Sequence, residues 1–144
     1  MLCLLIFFIA YSKMASLKLS MIILAIAIFA SFVSVVIAVP GQATYYTTYV
    51  PSSCYGFEDH GTMIAAASGD VFQNRAACGR RYRVTCTSGT NQGVPQPCRG
   101  GSVIVEVVDL CPGCSANGLD LSFEAFSVIA DPNAGRINID FTPV

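Results

Sequence analysis

The stretch SVIVEVVDLCPGC, residues 102–114, joins a β-branched run directly to a C-x-x-C motif. Ser102–Leu110 is almost continuously apolar, which is typical of a central strand. Cys111 and Cys114 belong to a group of six cysteines that begins at Cys54. An even number of cysteines in a short chain behind an apolar leader indicates a disulfide framework in a secreted domain.

Outward from this stretch, strand patterns alternate with turns rich in Gly, Pro and Ser. Four further segments have the composition or the alternation of β-strands: Gln42–Thr48, Thr62–Ala67, Arg81–Cys86 and Arg136–Thr142. Ser122 can cap one helix, because apolar residues follow it at helical spacing as far as Ala130. Five strands and one late helix predict a mainly β domain, a small closed barrel whose closure leaves no strand edge exposed.

The N-terminal leader has the parts of a secretory signal. Lys13 and Lys18 precede a run without charge, Met21–Val39. Small residues at the end of this run favour cleavage after Ala38. The other interpretation is a retained anchor, since about twenty apolar residues can span a bilayer.

Cleavage would divide the chain into a signal peptide, residues 1–38, and a single domain, residues 39–144. Met14 opens a more ordinary basic segment and is an alternative start. We therefore expect a secreted, extracellular protein without stable membrane insertion after cleavage.

The charge of residues 39–144 argues against one class of partner. Both lysines lie in the leader, so this part holds six arginines against nine acidic residues, a net charge of about −3. A nucleic-acid-binding protein would show a basic patch as its electrostatic footprint. We expect a monomer with no nucleic-acid partner and no cofactor.

Four motifs in order carry a resemblance to a known family. They are ATYYTTYVPSSCYG (43–56), NRAACGRRYRVTC (74–86), VVDLCPGC (107–114) and LDLSFEAFSVIA (119–130). Together they resemble the plant natriuretic peptide-like proteins, secreted relatives of the first domain of expansins and of the family-45 endoglucanases. The resemblance implies a six-stranded double-psi β-barrel with one short C-terminal helix. It also implies secretion to the apoplast and a role in water and solute homeostasis.

The resemblance also implies how the cysteines pair. The implied bridges are Cys54–Cys78, Cys86–Cys98 and Cys111–Cys114. A C-x-x-C motif can instead be redox-active or bind metal. A loop sequence follows this motif, and His60 is the one histidine of the chain, so we predict a structural bridge and no metal site.

Asp120 is the candidate catalytic residue. It matches the aspartate of the His-Phe-Asp-Leu-Ser motif of expansins, the general acid in the endoglucanases, although Gly118 and Leu119 replace His-Phe. Glycoside hydrolysis normally needs two carboxylates. Thr47 stands where the endoglucanases have their base, and Asp109 is the remaining candidate for a second carboxylate. Asp120 could instead cap the helix start. We predict that both aspartates are vestigial and that the protein is not a hydrolase.

Two groups of side chains are candidates for binding. Tyr45 and Tyr46 could stack weakly on a glycan, together with Tyr49 and Tyr55, or could belong to the core. The second group could contact an acidic partner, such as a cell-surface receptor or pectin, or could be a solvated face: Tyr55, Arg75, Arg80, Arg81 and Arg83.

Three functions follow from these residues and the resemblance. The first is a secreted signalling protein of the natriuretic peptide type, without hydrolase activity. The second is an expansin-like binder or loosener of cell-wall polysaccharide. The third is a weak glycan-cleaving enzyme that uses Asp120.

Overall fold

The computed structural model describes residues 37–144, so the predicted signal peptide and the alternative start at Met14 lie outside the described residues, except for Ile37 and Ala38. The strands are β1 (Val39–Tyr46), β2 (Ile64–Ala67), β3 (Arg81–Gly89), β4 (Val103–Leu110), β5 (Leu119–Ser122) and β6 (Ile137–Pro143). The helices are α1 (Gly69–Phe72), α2 (Phe123–Ile129) and a 3₁₀ turn (Pro132–Ala134). Within residues 37–144 no helix is long and apolar enough to cross a membrane.

The six strands close into a barrel in the order β1-β5-β2-β4-β3-β6. The pairs β1–β5 and β2–β4 are parallel, and the other four neighbouring pairs are antiparallel. Parallel neighbours need long crossover connections, so strands distant in sequence become adjacent. The predicted mainly β fold class and the closed barrel with one main helix are confirmed.

Several strand boundaries differ from the sequence prediction, most clearly in β1. β1 begins at Val39 rather than Gln42, because Val39 pairs with Phe141 on β6, and it ends at Tyr46 rather than Thr48. The strand β5 was not predicted, since four residues are too few to show a period. β1 starts directly after the predicted cleavage residue Ala38. Cleavage itself stays a prediction.

The core fills the inside of the barrel with alternate strand residues and the buried face of α2. The largest fully buried side chains include Phe126, Ile64, Leu119, Leu121, Ile129, Ile137 and Ile139. Ser122 caps α2 as predicted, and its Oγ accepts a hydrogen bond from the amide of Ala125. This cap stabilises the start of α2, because it satisfies an amide that the first helical turn leaves without a partner.

Three disulfide bonds cross-link the connections between the strands, and one of them attaches a loop to β3. They join Cys54 to Cys78, Cys86 to Cys98 and Cys111 to Cys114, with Cα–Cα distances of 5.7, 5.4 and 5.4 Å. These are the three pairs that the resemblance implied. The last bridge closes the loop between β4 and β5, so the C-x-x-C motif lies in a loop and not at a helix N-terminus.

Candidate functional site

A row of side chains crosses four neighbouring strands on the outside of the barrel. Ala66 on β2 pairs with Asp109 on β4 and with Asp120 on β5, and Asp120 pairs in turn with Thr44 on β1. Residues opposite each other on neighbouring strands share a face of the sheet. We call Thr44, Asp120, Ala66 and Asp109 the polar row. It brings together the two aspartates that the sequence singled out.

Asp109 reaches this face because of a β-bulge. The register places Val107 opposite Ala65 and Asp109 opposite Ala66, which leaves Val108 as an extra residue on β4. Val107 is fully buried inside the barrel. Strict alternation would send Asp109 to the same side as Val107, whereas a bulge re-aims the side chains that follow it.

Asp120 is half-buried and linked to its neighbour on β1. Its Oδ1 accepts a short hydrogen bond from Thr44 Oγ1. Burial raises the pKa of the Asp120 carboxyl, and the Thr44 hydroxyl offsets this rise in part. The alternative role as a helix cap is wrong, because Ser122 occupies the cap position of α2. Asp120 therefore presents a carboxyl group to the outside of the barrel and does not serve the helix.

Asp109 is held by the loop that precedes β2. One oxygen, Oδ1, accepts hydrogen bonds from the Ser53 amide at 2.8 Å, from the Ser53 hydroxyl and from the Leu110 amide at 2.8 Å. These hydrogen bonds hold the Asp109 side chain in place and fix the turn Ser52–Gly56 against β4. Asp109 and Asp120 lie two strands apart, roughly 10 Å between Cα atoms at the usual strand spacing.

Tyr46 lies beside the two aspartates. It is the next outward residue on β1 after Thr44, and its hydroxyl is buried without a hydrogen-bond partner among the residues that the structure describes. Burial raises the pKa of the Tyr46 hydroxyl, and the charges of Asp109 and Asp120 raise it further. A buried hydroxyl of this kind is costly unless something accepts its proton. The Tyr46 hydroxyl therefore lacks an acceptor that a ligand oxygen reaching it would supply.

Tyr49 extends the aromatic side of this region. Its ring meets that of Tyr46 edge to face at 5.2 Å, and its hydroxyl donates to Glu124 on α2. Burial raises the pKa of Tyr49, and the Glu124 hydrogen bond adds to this rise. Tyr46, Tyr49 and Glu124 thus form a polar and aromatic border next to the polar row.

Tyr45 and Tyr46, two of the candidates for glycan stacking, do not lie on the same face of β1. Successive residues of a strand point to opposite faces. Tyr45 packs against α2, with its ring 5.3 Å from Phe123 and 5.1 Å from Phe126. Tyr45 therefore belongs to the packing of the helix, which is the other role that its sequence position left open.

A small cavity lies at the Thr44 end of the polar row, next to the Cys111–Cys114 loop. Its volume is about 60 Å³, and its polar lining comes from Gln42, Thr44, Ser115 and Arg136. Gly118 also borders it. A Cβ added at Gly118 would lie 2.6 Å from the Ser115 carbonyl oxygen and 2.9 Å from Cys114 Cβ. The histidine that expansins carry at this motif position could not enter here unless the loop moved.

The predicted arginine group lies elsewhere on the barrel. Arg81 and Arg83 are exposed on β3, while Tyr82 and Val84 between and beyond them are buried. β3 and β5 stand three strands apart in the closed ring of six, so their outward side chains point to opposite sides. The structure therefore separates these arginines from Asp120.

Other members of the predicted partner-binding group have local contacts. Arg75 Nη2 donates to the Cys54 carbonyl at 2.9 Å. The ring of Tyr55 stacks on His60 at 3.8 Å, and His60 Nδ1 lies 3.0 Å from Glu106. In residues 37–144 no three His, Cys, Asp or Glu side chains are grouped as a metal site.

Comparison with known proteins reveals the family. A double-psi β-barrel family model described as "Lytic transglycolase" matches residues 64–141. An EG45-like domain containing protein of Citrus jambhiri is 59% identical over 103 residues, which cover 70% of this chain and 78% of the relative. The chain belongs to the EG45-like domain proteins. These are the plant natriuretic peptide-like, expansin-related proteins that the motifs indicated, and the double-psi β-barrel is confirmed.

Further comparisons show that the EG45-like domain is similar to expansins in sequence and structure. A putative EG45-like domain containing protein of Arabidopsis thaliana is 52% identical, with 74% of this chain and 84% of the relative covered. The crystal structure of a Clavibacter michiganensis expansin matches with a TM-score of 0.60 and 32% identity. The match covers 75% of this chain and 50% of that expansin. A point mutant of the same expansin was solved in complex with cellohexaose.

Several residues of the site in this EG45-like protein were not found by sequence reasoning. The sequence indicated Asp120 and Tyr46 as site residues. It did not indicate Thr44, Ser53 or Arg136. Thr44 lies 76 residues from Asp120 in the chain, and Ser53 lies 56 residues from Asp109. No local pattern could indicate these contacts, because strand register decides them.

Proposed function

We propose that this EG45-like protein binds cell-wall polysaccharide along the polar row and does not hydrolyse it. The observation that carries this proposal is the buried, unpartnered hydroxyl of Tyr46 beside Asp109 and Asp120. A sugar hydroxyl can accept from a phenol and donate to a carboxylate, so this group of donors and acceptors suits a carbohydrate. The cellohexaose complex of the similar expansin supports the same class of ligand.

The proposal that the protein does not hydrolyse polysaccharide rests on the surroundings of Asp109 and Asp120. A hydrolase needs one acid and one base or nucleophile. Burial raises the pKa of Asp120, whereas Asp109 Oδ1 already accepts three hydrogen bonds that hold it in the loop contact. Thr47, at the position of the endoglucanase base, cannot accept a proton at neutral pH. Weak cleavage by Asp120 is the alternative that the experiment below tests.

The site of action is proposed to be outside the cell. Three disulfide bonds in a domain of this size suit an oxidising compartment. With cleavage after Ala38, the released domain would act in the apoplast, where wall polysaccharide is its partner. Sequencing the N-terminus of the secreted protein tests this step, and an intact leader on the extracellular product would contradict it.

Substitutions in the polar row should weaken oligosaccharide binding. We expect Asp120→Asn to reduce the affinity for cellohexaose or xylohexaose about tenfold, because a hydrogen bond to a charged acceptor is lost. Tyr46→Phe should cost about fivefold. Calorimetric titration of the domain measures both effects.

The matched control is Tyr82→Phe, a tyrosine on β3 on the other side of the barrel, which should bind like the wild type. If the wild type binds neither oligosaccharide, the proposed function is wrong. The same mixtures are assayed for reducing ends. Release of reducing sugar that Asp120→Asn abolishes would establish the weak enzyme instead.

A second candidate function is a secreted signal that affects water and solute homeostasis through a cell-surface receptor. The position of Arg81 and Arg83 favours it, since they are exposed on the side of the barrel opposite Asp120. An acidic partner could bind there while polysaccharide occupies the polar row. Charge at the rim of an interface mainly controls association rate and salt sensitivity.

The double substitution Arg81→Ala with Arg83→Ala should weaken protoplast swelling by severalfold at low salt. Protoplasts have no wall, so a response there cannot come from polysaccharide binding. The melting temperature should change little, because Tyr82 and Val84 keep the buried face. Asp120→Ala is the control that should leave swelling intact. Full swelling by the double mutant would show that this face is only solvated.

A further inference from the structure

Arg136 lies at the end of the polar row, where the charge changes sign. Ala43 on β1 pairs with Ile137 on β6, and the two strands are antiparallel. The next positions in this register are Thr44 and Arg136. The outward row therefore runs from Asp109 through Asp120 and Thr44 to Arg136, and it is acidic at one end and basic at the other.

The guanidinium of Arg136 is available to a ligand. Arg136 is exposed, and the contacts between a basic side chain and a carboxylate in residues 37–144 are both made by His60 and not by an arginine. Its backbone is fixed instead, since its amide donates to Ala134 and its carbonyl accepts from the Thr90 hydroxyl at 2.9 Å. The guanidinium therefore projects from a fixed backbone position and has no carboxylate at ion-pair distance in the described part of the chain.

The cavity that Arg136 lines has a size and a polar lining that suit a small anionic group. At about 60 Å³ it can hold a few waters or one carboxylate, but not a sugar ring. Gln42 and Ser115 add an amide and a hydroxyl to the lining. Gln42 Nε2 also donates to Asn138 Oδ1 at 3.3 Å, which leaves its second N–H for a ligand. A guanidinium with neutral donors around it is the usual recognition site for a carboxylate, which accepts two parallel hydrogen bonds from arginine.

Asp120 does not prevent an anion from binding at this end. Thr44 stands between the two groups and donates its hydroxyl to Asp120. The backbones of Asp120 and Arg136 are two strands apart, roughly 10 Å at the usual spacing. Repulsion between the Asp120 carboxylate and an anion bound at Arg136 acts across this distance, and salt at physiological concentration largely screens it.

We propose that Arg136, with Gln42 and Ser115, binds the carboxylate of a uronic acid residue in the polysaccharide that lies along the polar row. This inference rests on the proposed function and refines it: the ligand is an acidic wall polysaccharide whose ring hydroxyls meet Tyr46 and Asp120. The uronate can come from the main chain of the polymer or from a side branch on a neutral chain. The recognition chemistry is the same in both.

Four probes test this inference in low-salt calorimetric titrations. They are hexagalacturonate, a xylohexaose bearing one glucuronate branch, and the carboxyl-reduced form of each. The wild type should bind at least one acidic probe about five- to tenfold more tightly than its reduced form, and the preference should shrink at 0.5 M salt. A preference for hexagalacturonate alone assigns a main-chain uronate, and a preference for the branched probe alone assigns a side branch.

Arg136→Gln should abolish this preference, because the guanidinium that pairs with the carboxylate is lost. Arg81→Gln, on the opposite side of the barrel, is the matched control and should keep the preference. Equal binding of acidic and reduced probes by the wild type, or a preference that survives Arg136→Gln, overturns the uronate site. Failure of the wild type to bind cellohexaose and both reduced probes overturns the proposed function of the polar row instead.

Discussion

Phe126→Ala should lower the free energy of unfolding by about 3–5 kcal/mol. The side chain is fully buried on α2, and its ring lies 5.1 Å from that of Tyr45. Truncation removes the apolar contacts and leaves a cavity between α2 and the barrel, which closed strands cannot readily collapse to fill. Urea unfolding followed by circular dichroism measures the change. The melting temperature should fall by roughly 4–8 °C for each kcal/mol.

The matched control for this substitution is Val128→Ala on the same helix. Val128 is 50% exposed, and alanine has the higher helix propensity, so the free energy of unfolding should change by less than about 0.5 kcal/mol. A cost for Phe126→Ala no larger than that of Val128→Ala would mean that α2 does not pack on the barrel as described.

Removal of the Cys54–Cys78 bridge should be the most costly loss among the three disulfides. The double substitution to alanine is expected to lower the free energy of unfolding by about 3 kcal/mol, because the bridge no longer restricts the unfolded chain. Its sequence separation of 24 exceeds the 12 of Cys86–Cys98 and the 3 of Cys111–Cys114. On the loop-entropy model, doubling a loop adds about 0.6 kcal/mol.

Three double-alanine variants, one for each bridge, give this ranking in urea unfolding experiments. The expected order of cost is Cys54–Cys78, then Cys86–Cys98, then Cys111–Cys114. A larger cost for removal of the Cys111–Cys114 bridge than for the Cys54–Cys78 bridge would refute the loop-entropy ranking. Non-reducing peptide mapping of the wild type checks the pairing itself, and a peptide that joins Cys111 to Cys54 would contradict it.

The elements that the sequence predicted well have a strong local period. In β3 and β6 the apolar and polar residues alternate, and both strands begin within one residue of the predicted position. The cap at Ser122 was predicted from the residues that follow it. By contrast, β5 and α1 have four residues each, and β1 extends to Val39 only because β6 is beside it. Pairing with distant partners creates these boundaries, so no window of sequence contains them.

The candidate site was predicted only in part, for a related reason. Asp120, Asp109 and Tyr46 could be named from their motifs, but their relation to each other could not. Tyr45 and Tyr46 were both named, and the structure assigns them different surroundings because adjacent strand residues face opposite ways. Thr44 and Arg136 entered the site through strand register, which is a property of the closed barrel.

By itself the sequence determined the family, the β class, the helix cap and the residues able to carry chemistry, because composition and short-range periodicity express these directly. The tertiary structure alone decided which of these residues meet. Barrel closure placed Thr44 beside Asp120 and sent Arg81 and Arg83 to the opposite side. The bulge at Val108 turned Asp109 outward against the alternation of its own strand. Register and bulges depend on contacts between strands far apart in the chain, and local sequence cannot specify them.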